Sequence, residues 1–377
     1  MKSKFFMTAL AAAMLFSACS KEEVDNSTTT LTVKVEAAAS RAIQAPGTTN
    51  PITLANGVIF LLAPDGTVNS ATALNPSQVM GSGQVFTGVP SSSRVFIVAN
   101  APAAAQTALL AATSFADIQA VTTDALGYQS TLYSNVALSN ADGYPAHITI
   151  VNPATATVNV SISPVIARLE LAGITGGEYT DPANTQNMTR IVGFEVLGVF
   201  LDSYFPEFTY TGGGYGTLVE INQTEVANPA VTWTGIQDRP TAPATAWTAS
   251  GTPPIAIPGA GQVWGYNVPA TTLSPLVIAV HIVTYETSTD GGTTWVAGSG
   301  SYMGIQYITV SGFNVTIGGN TGLATQFDRG HIYQIPASGL VFTTNNLHET
   351  PNPVDVDLTV NVTIQNWTLV PTTTILE

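Results

Sequence analysis

From Leu31 onward the chain is governed by a period of two. Leu31, Val33 and Val35 alternate with Thr32, Lys34 and Glu36, the spacing of a strand with one buried and one open face. The same kind of signal recurs at Val58–Leu62, Arg94–Ala99, His147–Val151, Thr157–Ser163, Val165–Leu171, Ile191–Phe200, Val263–Val268, Leu276–Tyr285, Tyr302–Val310 and His331–Ile335. Clusters of Gly and Pro separate these runs, as turn chemistry requires. The pattern predicts a mainly β chain. One segment breaks it: Ala103–Ala112 is alanine-rich, and Ser114 precedes Phe115, Ile118 and Val121 at helical spacing. Asp117, three residues after Ser114, completes a variant capping box. One or two short helices packed across a sheet are expected here.

The beginning of the sequence reads as a targeting segment. Lys2 and Lys4 precede an apolar run from Phe5 to Phe16, and Ser17 and Ala18 lead into Cys19. The run is too short for a membrane span, which needs about 20 residues, and fits the h-region of a signal peptide. Apolar, small, small, Cys is the lipobox order, with Phe16 where Leu is usual. This predicts a lipoprotein signal peptide at 1–18 and lipidation of Cys19. A buried free thiol is the bland alternative, and the position after the h-region counts against it. Cys19 is the only cysteine, so no intrachain disulfide can form and the core must hold the fold.

With 377 residues there is room for two domains of roughly 100–200 residues each. Only 9% of residues are charged and mean hydropathy is +0.26, which excludes a disordered chain. The lysines are Lys2, Lys4, Lys21 and Lys34, and the formal net charge is -14. Nucleic acid is therefore a poor partner. Residues 20–30 read as a polar tether, and a boundary is placed near Ser163–Pro164. It divides an N-terminal β domain with short helices (42–163) from a C-terminal β-sandwich (164–377).

The last strand-like stretch is unusually long. Val354, Val356, Leu358, Val360, Val362 and Ile364 alternate with polar residues, and after Asn366 the phase slips to Trp367 and Leu369. A bulge or two consecutive strands would produce this slip. The stretch at 354–370 could be an ordinary last strand or could pair with another molecule. The sequence leaves both open.

Candidate chemistry is sparse. Ser288–Trp295 (STDGGTTW) fits the Asp-box pattern, but it occurs once, where propeller blades repeat, and it reads as a hairpin turn. His147, His281, His331 and His348 are dispersed without metal-ligand spacing, and no Gly-x-Ser-x-Gly elbow is present. Asp355 and Asp357 share a polar strand face and suit solubility better than acid–base work. Trp233, Trp247, Trp264 and Trp295 could build a sugar platform or belong to the core. No catalytic residue, metal site or cofactor is assigned, and no enzyme is expected.

Several patches together resemble the fimbrillins, the subunits of type V pili in the Bacteroidales. These are SRAIQ (Ser40–Gln44), SRVFIVAN (Ser93–Asn100), SFADIQAVTTDAL (Ser114–Leu126) and VIARLEL (Val165–Leu171). DRGHIYQI (Asp328–Ile335), NNLHETPNP and VTIQNWTLV (Val362–Val370) complete the series. No single patch is specific; their order and spacing carry the resemblance. It implies two tandem β-sandwich-like domains of transthyretin-like type.

The resemblance also implies a life history. The precursor reaches the outer membrane as a lipoprotein, and an arginine-specific protease cuts between Arg41 and Ala42. The segment 19–41 then leaves as a lipidated propeptide, taking the first strand with Leu31, Val33 and Val35. A neighbour's donor strand, carrying Val354, Val356, Leu358, Val360, Val362, Ile364, Trp367 and Leu369, fills the gap and builds a head-to-tail fimbrium. Partners would be further copies, anchor and tip subunits, and host or bacterial surface ligands. Arg41 in its small-residue stretch could instead be a solvated loop residue. An anchor, a tip adhesin and a surface glycan-binding lipoprotein are the competing roles.

Overall fold

The computed structural model describes residues 29–37, 54–89, 93–129, 136–148, 155–226, 235–238, 255–260, 262–270, 273–317, 320–351 and 358–366. The fold is mainly β, with two large mixed sheets, each over its own apolar core, and short helices. The strands of the first half are Thr29–Ala37 (β1), Gly57–Leu62 (β2), Val68–Ala73 (β3), Gln84–Val89 (β4), Arg94–Ala99 (β5), Thr122–Asp124 (β6), Leu138–Asn140 (β7), Ala146–His147 (β8) and Thr155–Pro164 (β9). Across the first sheet the order is β3-β2-β5-β7-β9-β1-β4, with β8 beside β5. β2 is buried at every position, as expected of a strand covered on both faces. The outermost strands approach each other: Gln84 of β4 donates to the Ala73 carbonyl of β3 at 3.1 Å and accepts from Asn75 N at 2.9 Å. The sheet thus wraps around its core.

Short helices lie at Pro76–Val79 (α1), Ala103–Leu110 (α2) and Phe115–Ala120 (α3). α3 carries the expected capping box, with Ser114 Oγ accepting from Asp117 N and the Asp117 carboxylate accepting from Ser114 N. Thr113 adds two further hydrogen bonds to that carboxylate and, more than any other group, holds it below its usual range. Phe115 then packs edge-on against Phe96 of β5, ring centroids 5.2 Å apart.

β9 ends at Pro164, and Ile166–Leu171 (β10) opens the second sheet. Val165 and Ile166 are buried in the first core, while Ala167, Leu169 and Leu171 belong to the second. Across the second sheet run Glu178–Thr180, Met188–Leu201, Leu276–Ser288, Gly304–Ile317, Leu358–Asn366, His331–Ile335, β10 and Trp264–Pro269. Register shifts around Gly193 mark bulges in its longest pairing, where the added residue increases local twist. Ser288–Trp295 turns between Leu276–Ser288 and Val296–Ala297. Ser288 Oγ and Thr294 N both donate to Asp290 there.

The halves meet through hydrogen bonds as well as apolar contact. β6 pairs with Glu207–Thr209, and Asn267 bonds both Gln129 and Tyr128. Arg329 donates to the Thr211 carbonyl (3.3 Å), Ser139 Oγ (3.0 Å) and the Ser163 carbonyl (3.4 Å). Burial pulls its guanidinium down to about 10, which leaves it charged at neutral pH.

Candidate functional site

β1 is rich in Thr and Val, side chains that suit a pleated, half-buried surface. It lies inside the sheet. On one side Thr30–Ala37 runs parallel to Thr155–Ile162 of β9, and on the other Thr29–Val33 runs antiparallel to Val89–Gln84 of β4. Leu31 and Val33 are 0% exposed and Val35 is 7% exposed. They share a core with Val79, Val89, Val160 and Ile162. Thr32 and Lys34 on the opposite face are half-buried.

The slot around β1 is tight at one point. Gly83, entering β4, has φ +98, and a Cβ there would stand 2.2 Å from Thr32 Cγ2. Glycine meets both demands, positive φ and close approach. β4 has no strand neighbour other than β1 among the described residues. Its start is fixed separately by Gln84 and by Asn75, which also caps α1. The slot's outer wall therefore has anchors that do not depend on β1.

The last described strand, Leu358–Asn366, occupies a slot of the same format. It runs parallel to Gly304–Ile317, with Val310 beside Leu358 and Val315 beside Val362. On its other side it is antiparallel to His331–Ile335, with His331 beside Asn366 and Gln334 beside Thr363. Val360 is buried in the second core and Leu358 packs partly against it. Val362 and Ile364 lie on the same strand. The segment is thus seated within its own molecule. Cys19, Arg41, Ala42, Val354, Val356, Trp367 and Leu369 fall outside the described residues.

The arginines within the described residues are engaged in strands or buried. Arg94 lies on β5, Arg168 on β10 is wholly buried, and Arg329 is largely enclosed. Arg190 pairs with Glu286 at 2.5 Å and stacks over Trp295 at 4.2 Å. Arg239 is outside the described residues and precedes Pro240.

The remaining candidates do not assemble into a site. His281 faces Glu195 at 3.1 Å across two strands, and His331 Nδ1 bonds to the Arg329 carbonyl at 2.8 Å. No group of three His, Cys, Asp or Glu among the described residues could hold a metal. Trp264 packs against the second core and Trp295 lies under Arg190; Trp233 and Trp247 lie outside the described residues.

No protein-family model matches the sequence, and no curated protein does. Solved structures do match. A candidate cell adhesion protein from Parabacteroides distasonis aligns over 90% of this chain and 98% of its own, with TM-score 0.52 and 14% identity. A fimbrillin (FimA) from Porphyromonas gingivalis aligns over 91% of this chain and 98% of its own, with TM-score 0.51 and 14% identity. Across nearly its whole length, then, this chain has the fold of a fimbrillin.

Proposed function

We propose that this chain is a structural subunit of a pilus shaft. It is exported as a lipoprotein precursor through Cys19, cut between Arg41 and Ala42, and polymerised by strand exchange. Once mature it consists of an N-terminal domain from 42 to 163 and a C-terminal domain from 164 to 377. Its role is structural and not enzymatic, first at the outer membrane and then in a surface fimbrium. The fold shared with a fimbrillin and a candidate cell adhesion protein supports this reading.

The observation that carries it is the place of β1. The strand just before Arg41 is an interior strand with an apolar row in the core. Withdrawing it would uncover the pockets of Leu31, Val33 and Val35, each side chain worth roughly 1.5–3 kcal/mol of burial. It would also leave backbone groups of β9 and β4 unpaired. Such a groove accepts an extended segment with period-two apolar side chains, main-chain bonds giving strength and side chains giving register. The 354–370 segment has that pattern, and its described part already works between one parallel and one antiparallel neighbour. Donor and acceptor sit in different sheets of one chain, so exchange between copies gives an open head-to-tail filament. Anchor and tip subunits would complete its ends.

Cleavage specificity fits as well. A protease that needs an extended, accessible arginine is poorly served by Arg94, Arg168, Arg190 and Arg329 in their strands and contacts. Arg239 is followed by proline, whose ring and missing N–H disfavour extended binding in a protease. Arg41 stands between the small residues Ser40 and Ala42, with no proline at the bond to be cut. Arg41→Ala should leave a lipidated, unpolymerised precursor, and truncation after Pro353 should permit maturation but prevent polymer. Filaments formed by the Arg41→Ala protein would sink the cleavage step, and filaments formed by the truncated protein would sink the donor assignment.

A further inference from the structure

A second feature stands apart from the strand slots. Leu62, Ala63, Gly66, Arg94, Phe115 and Tyr144, with Gln119 and Pro145, line a hollow of about 300 Å³ beside β5. In a chain of net charge -14, the Arg94 guanidinium has neither a carboxylate nor a hydrogen-bond partner among the described residues. The contrast with its neighbours in kind is clear, since Arg168 and Arg190 have carboxylates and Arg329 has carbonyls and hydroxyls. The acidic side chains nearest in sequence are engaged locally: Asp65 accepts from Thr67 N and Asp117 from Thr113 and Ser114. Asp142 is turned to Tyr144 N.

The backbone behind two of the walls is held by hydrogen bonds to β5 and to the 63–67 turn. Tyr144 is 66% exposed, but its carbonyl accepts from Asn140 Nδ2, and the Asn140 side chain also bonds Val95 O and Ile97 N of β5. Phe115 donates its N–H to the Gly66 carbonyl and packs on Phe96. His147, exposed, stands opposite Arg94 in the β5–β8 register and hence on the same sheet face. Gln119 is exposed and leaves its amide available at the wall.

We propose that this hollow binds a carboxylate-bearing monosaccharide unit. Arg94 takes the carboxylate in a two-pronged pair, the geometry in which guanidinium and carboxylate match. The exposed ring of Tyr144 lies against the C–H face of the sugar, and Gln119 serves a hydroxyl. The volume is at the small end for ligand sites, which start at roughly 300 Å³, and so suits one sugar unit. A peptide's terminal carboxylate fits less well, because such groups are held by free backbone amides. In the 63–67 turn Ala63 N, Gly66 N and Thr67 N are already bonded, to Thr67 O, Ala63 O and Asp65.

The test uses the full, uncleaved chain, so it does not depend on polymerisation. Titration with N-acetylneuraminic acid and with galacturonic acid should give saturable binding, with Kd on the order of 1 mM. The methyl ester of either sugar should bind at least about tenfold more weakly, because the charge-assisted pair is lost. Arg94→Gln should cause a similar loss and Arg94→Lys a smaller one. Tyr144→Ala changes an exposed side chain away from the strands, and should weaken binding even if an Arg94 variant folds poorly. The proposal is overturned by the absence of saturable binding, by equal affinity for galactose, by unchanged affinity in both Arg94→Gln and Tyr144→Ala, or by tighter binding of a peptide carboxylate.

Discussion

Arg168 is wholly buried, and its Nε donates to Glu170 at 2.8 Å while Nη1 donates to Asn267 at 3.1 Å. Gln334 holds the other Glu170 oxygen at 2.9 Å. Arg168→Met would strand a buried carboxylate, with an expected loss of about 3–5 kcal/mol, visible as a lower urea midpoint. Changing Arg168→Met and Glu170→Leu together should recover most of it, because both charges then leave the interior. Asp290 is the opposite case, an exposed carboxylate held down to about 2, chiefly by the Ser288 hydroxyl and then by the Thr294 amide. Its folded pKa is depressed, so its contribution to the turn is present above the unfolded value and is lost as pH falls through about 2. The Thr294 amide resonance should titrate with that midpoint; one near 4, the free-aspartate range, would refute the assigned hydrogen bonds.

β1 and its slot meet most tightly at Gly83. Gly83→Ala puts a methyl group against Thr32 in a backbone conformation that disfavours it, and should destabilise the β1 seat by roughly 1–3 kcal/mol. Hydrogen exchange at Val33 and Val35 should accelerate more than at Val58 and Ile59 of β2. Equal acceleration everywhere would mean that β1 has no local weakness. Apolar runs of strand length, bounded by turn residues, revealed most of this architecture: Arg94–Ala99 and His331–Ile335 have their expected bounds, while Met188–Leu201 and Leu276–Ser288 extend beyond theirs. The extensions carry Met188, Thr189, Thr287 and Ser288, polar or mixed positions that pairing keeps extended without an apolar face. β3 and β4 were not legible. VNSATA lies on the outermost strand with mostly half-exposed positions, and QVFTGV contains Gly88 at φ +75, so neither writes an alternation. The partners of β1 were also unreadable, because pairing Thr30 with Thr155 is a long-range choice that local pattern does not encode. The hollow at Arg94 was missed for the same reason: Leu62, Phe115 and Tyr144 are brought together only by the sheet and its cap.

For the molecule as a whole, the junction decides whether the halves act as one body. Arg329 passes close to two glycines: a Cβ on Gly143 would lie 3.1 Å from Nη1, and one on Gly212, at φ +90, would lie 2.9 Å from Cδ. Arg329→Gln removes the fork that joins Thr211, Ser139 and Ser163. Calorimetry should then resolve two unfolding transitions in place of one, the first lowered by roughly 2–4 °C. A single, unshifted transition would show that β6 and Asn267 suffice. The position of β1 also has a consequence in time. Its parallel neighbour β9 lies far downstream, so closing that pair carries the loop entropy of the whole intervening stretch. β1 is the earliest described strand in the sequence, and although β4 can pair with it sooner, its slot is incomplete until β9 arrives. A sheet completed by its first strand has a late closing step, and in the proposed cycle that strand is afterwards discarded. The processed subunit would then lack part of the information that folded it. Unfolded once, it should not refold alone, and its persistence would rest on the height of a barrier and not on equilibrium.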